Sequence, residues 1–471
     1  MGNSAALIDR EEEMAHLERL YGSKRAEFFV LYGRRRVGKT KLLRAFCANK
    51  PHLFFVATLS SETEQLATFS QALWRFSHAE VPEGFTFPSW ESALRALAEL
   101  PGRPIVVLDE FTYLISSNKA IPSILQKVWD ERLSEANLML VLCGSYIGIM
   151  EREVLGYQAP LYGRRTGSHL LLPLKLLGAA QFYPQYTPVQ KLEAWAVLGG
   201  MPYYLSAFSD SMDVFANVRA QILDPHGVLR NEPQLLLMEE LRAPQNYFSI
   251  LRAIAQGHTR LGEIANAAGV GDATTAVRYL DTLREMRVVT RSVPATQSRP
   301  EKSRKGIYQI ADHFFRFWFR YVHPFYSSLD MGLADTILAQ QVSPTWEQYV
   351  GHAFEEAARE YVARLAEGGR LAIVPERIGS WWAPEAEIDL LAISDAQGTM
   401  LAGECKWSTK PVGTDILDSL KRKAQNAQRE GQWPQIAYML FSRSGFTPAL
   451  RKVAEAEGVQ LVGVEDMLDD R

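Results

Sequence analysis

The sequence predicts an α/β protein of several domains, on the basis of three observations. A chain of 471 residues is too long for a single hydrophobic core. Between residues 1 and 175, short apolar runs alternate with amphipathic stretches, the pattern of a parallel sheet covered by helices on both faces. After residue 340 the order becomes helix, strand, strand, helix, strand, which predicts a second α/β domain.

Composition and charge are those of an ordinary globular protein. Hydrophobic residues make up 47% of the chain and charged residues 22%. The formal net charge is −3, so any nucleic-acid contact requires a local basic surface. Because no long apolar run or signal peptide is evident, we expect a cytoplasmic protein without a membrane partner. Cys47, Cys143 and Cys405 lie far apart in apolar runs, which favours buried thiols over a zinc site or a disulfide.

A phosphate-binding loop follows the first apolar run of the sheet, residues 28–33. The residues that fit the pattern G-x-x-x-x-G-K-[ST] are Gly33, Arg34, Arg35, Arg36, Val37, Gly38, Lys39 and Thr40. Backbone N–H groups at the start of the next helix would hold the β-phosphate of a nucleotide. We expect Lys39 to bridge the β- and γ-phosphates and Thr40 to bind Mg²⁺. The loop therefore predicts ATP and Mg²⁺ as cofactors.

Two carboxylates end the apolar run at residues 104–110. We expect Asp109 to contact Mg²⁺ through water, and Glu110 to act as the general base for hydrolysis of ATP. A solvated strand end is the alternative interpretation. The agreement of this pair with the phosphate loop favours the nucleotide site.

The segments "IDREEEMAHL", "GRRRVGKT", "LDEF", "LCGSYIGIM" and "LGGMPYYL" together resemble the STAND class of P-loop ATPases, in particular its archaeal ATPase family. The resemblance covers about residues 7–205. It implies that an Arg-rich loop is a family trait, although solvated loop charges are an alternative for each arginine. It also implies that nucleotide state controls partner domains and that turnover is slow. Proteins of this class often assemble, so a homo-oligomer is one of the states the resemblance allows.

The same resemblance implies further nucleotide contacts. Residues 8–10 would lie near the adenine, and Ser145 would sense the nucleotide at the end of its strand. Pro202 would lie near the nucleotide in a lid, and Arg164 or Arg165 would stabilise charge during hydrolysis. A surface charge is an equal alternative for these two arginines.

Two regions follow the predicted parallel sheet. Residues 176–240 show no strand pattern and are predicted to form a helical lid. Residues 246–289 contain three stretches with helical apolar spacing, and residues 290–310 contain two β-like runs around a basic tip. Three helices and a hairpin predict a winged helix. It would either bind DNA, with Arg278 on the reading helix, or pack inside the protein.

The C-terminal region places charged residues on neighbouring strands and on a helix. Asp389 lies on one predicted strand, and Glu404 and Lys406 share one face of the next. Two converging carboxylates can bind a divalent cation, and a lysine can activate the attacking water. A cross-strand salt bridge on an exposed face is the alternative. Lys423 is expected to be a helix-surface lysine, with a phosphate contact as the alternative.

The order of a helical Glu355, Asp389, and then Glu404 with Lys406 resembles the PD-(D/E)xK nuclease superfamily. The region from "IYQIADHFFRFWFRY" to about Phe441 is similar to DUF234, a domain of unknown function often appended to archaeal-type ATPases. The resemblance implies a metal site of Asp389 and Glu404, with Glu355 and Lys406 as further catalytic residues. The proline of the superfamily's name is absent here.

The complete prediction is an α/β chain with four domains. They are a P-loop NTPase core at 1–175, a helical lid at 176–240, a winged helix at 241–325 and a restriction-endonuclease-like α/β domain at 340–471. The predicted function is an ATP-binding switch of the STAND type that gates a Mg²⁺-dependent nuclease. DNA is the favoured substrate, because a winged helix accompanies the nuclease-like domain. The alternative is a non-nucleolytic regulator that binds DNA or protein through its winged helix.

Overall fold

The computed structural model describes residues 7–78, 80–241 and 243–469. The chain divides into two compact units, Met1–Pro173 and Leu174–Arg471. In this described part, no helix combines the length and the apolar character needed to cross a membrane. The three cysteines are buried and free, as their apolar surroundings in the sequence predicted.

The first unit contains a parallel sheet of five strands. The strands are β1 (Glu27–Tyr32), β2 (His52–Val56), β3 (Ile105–Asp109), β4 (Met139–Gly144) and β5 (Gly167–Leu170). They lie in the order β2-β3-β4-β1-β5, and all neighbouring pairs are parallel. Every residue of β3 and β4 is buried, as a sheet covered on both faces requires. The predicted P-loop NTPase sheet is therefore confirmed.

Helices surround this sheet and complete its core. They are α1 (Glu11–Gly22), α2 (Lys39–Cys47), α3 (Glu62–Ser77), α4 (Trp90–Arg95), α5 (Phe111–Ser117), α6 (Ile121–Glu131) and α7 (Ile147–Met150). Because the strands are parallel, the segments that follow β1, β3 and β4 meet at one edge of the sheet. The phosphate loop, Asp109 and Ser145 all lie at that edge.

The second unit begins with helices and continues with three helices and a hairpin. The first group is α8 (Leu176–Ala180), α9 (Pro188–Leu198), α10 (Pro202–Leu205), α11 (Val214–Val218) and α12 (Glu232–Glu240). The second group is α13 (Pro244–Ala255), α14 (Leu261–Ala268), α15 (Ala273–Glu285), β6 (Val289–Ser292) and β7 (Ile307–Ile310). Strands β6 and β7 are antiparallel. This order is the one predicted for a lid and a winged helix, whose boundaries stay predictions.

The loop between β6 and β7 packs on the C-terminal domain. The backbone N–H of Ala295 donates to the carbonyl oxygen of Ser380 at 2.8 Å, and Arg377 Nε donates to the carbonyl oxygen of Ala295 at 2.9 Å. Thr296 Oγ1 donates to Glu430 Oε2 at 2.7 Å. The hairpin therefore has an internal packing role, the second of the two roles that the sequence left open.

A mixed sheet organises the C-terminal domain. The preceding helices are α16 (His313–Tyr321), α17 (Tyr326–Asp330), α18 (Ala334–Ile337) and α19 (Trp346–Glu367). The domain continues with β8 (Arg377–Ala383), β9 (Ala386–Ser394), β10 (Thr399–Lys406), α20 (Thr414–Gln428), β11 (Gln435–Ser442), α21 (Pro448–Glu457), β12 (Gln460–Gly463) and α22 (Val464–Leu468). Strands β8, β9 and β10 are antiparallel, whereas β10, β11 and β12 are parallel. The predicted second α/β domain is confirmed.

Candidate functional site

Close backbone packing fixes the phosphate loop between β1 and α2. A Cβ atom on Gly33, whose φ is 152°, would lie 2.4 Å from the carbonyl oxygen of Leu171. Gly38 has a φ of 101° and directly precedes α2. Other residues rarely adopt such backbone angles, and a side chain at Gly33 would also collide with a backbone atom. The structure therefore explains why both of these positions of the motif are glycine.

The ammonium group of Lys39 lies inside the curve of the loop. Its Nζ donates to the carbonyl oxygens of Gly33 at 2.8 Å and Arg34 at 3.0 Å, and Lys39 is 4% exposed. A buried cation beside the N-terminus of α2 creates a local positive potential. The loop therefore suits the phosphates of a nucleotide.

Thr40 and Asp109 form a pair of oxygen ligands at the same edge. Thr40 Oγ1 donates to Asp109 Oδ2 at 2.7 Å, and the N–H of Glu110 donates to Asp109 Oδ1 at 3.0 Å. Mg²⁺ is usually bound by one or two such protein oxygens together with phosphates and water. Among the described residues no cluster of three or more His, Cys, Asp or Glu side chains forms a metal site. Thr40 and Asp109 are therefore the residues at this edge that could hold a Mg²⁺ ion.

Glu110 is held in an unusual conformation by its neighbours. Its φ is 53°, in the left-handed region that residues with side chains rarely occupy. Ser145 Oγ, at the end of β4, donates to Glu110 Oε1 at 2.7 Å. Glu110 Oε2 is buried and has no hydrogen-bond partner in the described part of the chain. The structure thus brings the predicted general base and the predicted sensor residue together and leaves one carboxylate oxygen to accept a proton.

The arginines of the loop differ in their surroundings. Arg34 is 6% exposed, so the alternative of a solvated loop charge is wrong for this residue. Arg35 is half-buried and donates to the hydroxyl of Tyr113, which the sequence did not single out. Arg36 has a φ of 67°. Of the three, Arg34 is buried, whereas Arg35 and Arg36 are half-buried.

Two other predicted nucleotide contacts lie farther along the chain. Arg164 pairs with Asp130, with its Nε 3.2 Å from Oδ1 and its Nη2 3.0 Å from Oδ2. Pro202 is the first residue of α10 in the second unit. A contact of either residue with the nucleotide stays a prediction.

The C-terminal sheet brings the predicted nuclease residues together. Asp389 on β9 and Glu404 on β10 lie on neighbouring strands, and the N–H of Cys405 donates to Asp389 Oδ2 at 2.8 Å. Lys406 Nζ donates to Glu404 Oε1 at 2.8 Å. Glu355, on α19, is near enough for its charge to act on Asp389.

Lys423 is a member of this cluster that the sequence prediction misplaced. It lies on α20 with its side chain 24% exposed, and its Nζ donates to both oxygens of Glu404, at 2.8 and 2.9 Å. The expectation of a helix-surface lysine is therefore wrong. Helical spacing in the sequence could have predicted this inward position. Lys423 lies three residues after Leu420 and four before Ala427, both of which are fully buried.

Burial and like charges shape the electrostatics of the cluster. Burial, with the negative charges of Glu355 and Glu404, raises the pKa of Asp389 to about 7. Burial acts to lower the pKa of Lys406, but its hydrogen bond and ion pair with Glu404 raise it above the ordinary value. Glu404 is 5% exposed and pairs with Lys406 and Lys423, so the salt bridge of the alternative interpretation is present but lies on a buried face, not on an exposed one.

Comparisons with known proteins find family matches for both ends of the chain. A family profile described as an ATPase domain predominantly from Archaea matches residues 7–208, and one described as archaeal and bacterial proteins of unknown function, DUF234, matches residues 318–425. An uncharacterized protein of Methanocaldococcus jannaschii is 34% identical over 404 residues, or 85% of this chain and 87% of the relative. The chain belongs to the archaeal ATPase family. The resemblances to the archaeal ATPase family and to DUF234 are confirmed.

Solved structures are similar to this archaeal ATPase at low identity. The Walker-type ATPase of Pyrococcus abyssi is 24% identical with a TM-score of 0.47, covering 67% of this chain and 96% of that one. The ORC2 protein of Aeropyrum pernix is 16% identical with a TM-score of 0.46, covering 72% of this chain and 96% of that one.

Proposed function

We propose that this archaeal ATPase is a nucleotide switch that gates a Mg²⁺-dependent phosphodiesterase, a DNA nuclease, in its C-terminal domain. The observation that best supports the nuclease is the convergence of Asp389, Glu404 and Lys406 on neighbouring strands, with Glu355 close by. Burial, together with the crowding of these carboxylates, raises the pKa of Asp389 to about 7, and a divalent cation would stabilise their ionised forms. The donor set therefore fits such an ion.

Each residue of this cluster would have a separate role. Asp389 and Glu404 would hold the cation, which supplies charge stabilisation at the scissile phosphate when it is bound. Lys406 would orient the attacking water, and Glu355 would complete the negative surface that attracts the cation. Lys423 would hold the carboxylate of Glu404 in position, because it contacts both oxygens.

Helix α19 is the structural link that supports gating. At its N-terminal half, Trp346 Nε1 donates to Glu193 Oε1 at 3.1 Å and Tyr349 Oη donates to the carbonyl oxygen of Ala196 at 3.1 Å, both on α9 of the predicted lid. Farther along, Arg359 Nη1 donates to the carbonyl oxygen of Asp389 at 2.7 Å. A movement of the lid would therefore be transmitted to the strand that holds Asp389. Self-assembly of the chain stays a prediction.

One observation favours the alternative of a non-nucleolytic regulator. Glu404 already pairs with both Lys406 and Lys423, so two cations neutralise it without a metal. A cluster of this kind can also act as a purely structural ion-pair network. The C-terminal domain would then be a docking module controlled by the nucleotide.

An assay of DNA cleavage distinguishes the nuclease from the non-nucleolytic regulator. Labelled single- and double-stranded DNA is incubated with Mg²⁺ or Mn²⁺ and the wild type, Glu404→Gln, or Glu455→Gln, a control at an exposed position of α21. We expect Glu404→Gln to lower the cleavage rate about a hundredfold and the control to leave it unchanged. If clean wild type binds ATP but cleaves neither substrate with either metal, the nuclease is wrong and the regulator is favoured.

A further inference from the structure

A cleft of about 480 Å³ lies between the winged-helix hairpin and the helices that precede the C-terminal sheet. We name it the wing cleft. It is lined by Thr290 and Gln309 from the hairpin, Arg316 and Arg320 from α16, and His352 and Arg359 from α19. Thr290 and Gln309 are paired residues of the antiparallel hairpin, and both are exposed. One wall is therefore polar and the other is rich in arginine.

The arginine wall has donors that the protein itself does not use. Arg316 Nη1 pairs with Glu356 at 2.6 Å, but its Nε and Nη2 are buried and have no hydrogen-bond partner among the described residues. Buried donors of this kind are costly unless water or an anion accepts from them. Glu356 is shared between Arg316 and His313, so this carboxylate is already paired. Glu355, the second carboxylate of the wall, lies 3.7 Å from His352. The wall is therefore suited to an anion.

The wing cleft adjoins the proposed nuclease site. Glu355 also lines the cleft, and its charge acts on Asp389. Arg359 faces the cleft and donates to the carbonyl oxygen of Asp389 at 2.7 Å. A polyanion that occupies the cleft would consequently end beside the carboxylates that are proposed to hold the metal.

The dimensions of the cleft limit what can enter. Its volume lies in the range of pockets that take small molecules, about 300–1,000 Å³, so it has room for a nucleotide or two of one strand. A duplex is recognised across its grooves by a protruding helix or ribbon, not inside a cleft of this size. The arginines can contact phosphates, and the polar wall has no fixed donor pattern that would select particular bases. These two walls suit a nucleic-acid backbone that is bound with little sequence preference.

We propose that the wing cleft binds a single-stranded phosphodiester chain and leads it to the carboxylates of the C-terminal sheet. This inference rests on the proposed nuclease, whose substrate class it specifies. Arg320 is a phosphate contact in this arrangement, since the side chains that it contacts, Gln348 at 3.3 Å and the rings of Tyr321 and Tyr349, are neutral. Thr290, on the opposite wall, marks the path of the strand.

Binding without cleavage tests this inference on the full chain. Fluorescence anisotropy with a chelator present compares a labelled oligothymidylate, an oligouridylate and a DNA duplex of the same length. The variants are Arg320→Ala, Thr290→Glu and the control Arg429→Ala, an exposed arginine outside the cleft. Thr290→Glu changes an exposed position, so its effect does not depend on the loss of a packed arginine.

We expect the wild type to bind a single strand about tenfold more tightly than the duplex. Arg320→Ala and Thr290→Glu should each weaken single-strand binding about tenfold, while Arg429→Ala should not. The two single strands distinguish DNA from RNA as the source of the chain. Equal binding of duplex and single strand, or unchanged binding by both cleft variants, would overturn the inference.

The outcome is separable from that of the proposed nuclease. Single-strand binding that both cleft variants weaken, without cleavage in the presence of metal, retains the cleft and rejects the nuclease. Cleavage that both cleft variants leave unchanged retains the nuclease and rejects the cleft. If neither binding nor cleavage is observed, both the cleft and the nuclease are rejected.

Discussion

At the scale of single residues, each of the two candidate sites contains a lysine that donates to two oxygen atoms. Lys39 lies buried against carbonyl oxygens of the phosphate loop, and Lys423 contacts both carboxylate oxygens of Glu404. The motif around Lys39 is contiguous, so its role could be predicted from the sequence. Lys423 lies 19 positions from Glu404, and only the packing of α20 against the sheet brings the two together.

Removal of Lys39 tests the nucleotide site. In Lys39→Ala we expect ATP binding to be lost, because the loop loses the cation that would face the β- and γ-phosphates. The measurement is the rise in Tm caused by ATP and Mg²⁺, which mass action makes about zero in a variant that does not bind. Lys41→Ala, an exposed lysine two positions later, is the control and should keep the rise. A rise in Lys39→Ala equal to that of the wild type contradicts this assignment.

At the same scale, the contact between Glu110 and Ser145 could be predicted only in part. The carboxylates at the end of an apolar run predicted that Asp109 and Glu110 lie near the loop, and the resemblance to the ATPase family implied the same for Ser145. The left-handed φ of 53° at Glu110 turns its carboxylate toward β4, and no sequence pattern reports that angle. The hydrogen bond between Ser145 and Glu110 is therefore a finding of the structure.

At the scale of elements, the apolar runs predicted strands well and their ends less well. Residues 168–174 form one apolar run, but β5 ends at Leu170. The N–H of Leu171 still donates to the carbonyl oxygen of Tyr32, and Pro173 cannot donate at all. The hairpin loop is a similar case, because the sequence left DNA binding and internal packing open, and only the structure shows its backbone bonded to Ser380.

Helix α19 contains a carboxyl group whose ionisation is linked to stability. Burial, with the charge of Glu356, raises the pKa of Glu360 to about 7 against an ordinary value of 4.5, and the Leu176 N–H, His313 and Lys175 oppose this rise. The folded protein therefore retains a proton that the unfolded chain releases, and this stabilisation is lost as the pH rises through 4.5 to 7.

In Glu360→Gln, which resembles the protonated form, we expect greater stability than wild type above pH 7. The gain should be about 1–3 kcal/mol there and should disappear toward pH 4.5. Urea unfolding of both proteins at several pH values measures it. Glu367→Gln, an exposed position of the same helix, is the control. A stability difference between Glu360→Gln and wild type that does not vary with pH contradicts the linkage.

The contact between hairpin and C-terminal domain can be tested through Glu430. Its Oε2 accepts from Thr296 at 2.7 Å and its Oε1 from Lys305 at 3.1 Å. In Glu430→Ala we expect trypsin to cut the loop about tenfold faster, since a hydrogen bond to a charged group contributes about 1.5–3 kcal/mol. Glu455→Ala should be cut at the wild-type rate. Equal rates for all three proteins would show that these side-chain bonds do not anchor the loop.

At the scale of the whole molecule, the sequence predicted an ATPase followed by a second α/β domain, and the structure and the family agree. The connection between lid and C-terminal sheet could not be predicted, because it depends on α19. Trp346 and Tyr349 contact residues of α9 that lie 153 positions earlier. Pairs of this kind have no local pattern in a single sequence.

The ATP dependence of DNA cleavage tests the central proposal, a nucleotide switch that gates a nuclease. Cleavage of single-stranded DNA with Mg²⁺ is measured for wild type and Lys39→Ala, each with and without ATP. We expect ATP to change the wild-type rate at least about fivefold, the lower end of typical coupling between sites, and to leave Lys39→Ala unchanged. Wild-type cleavage at one rate with and without bound ATP would contradict gating, and no cleavage in either condition would contradict the nuclease.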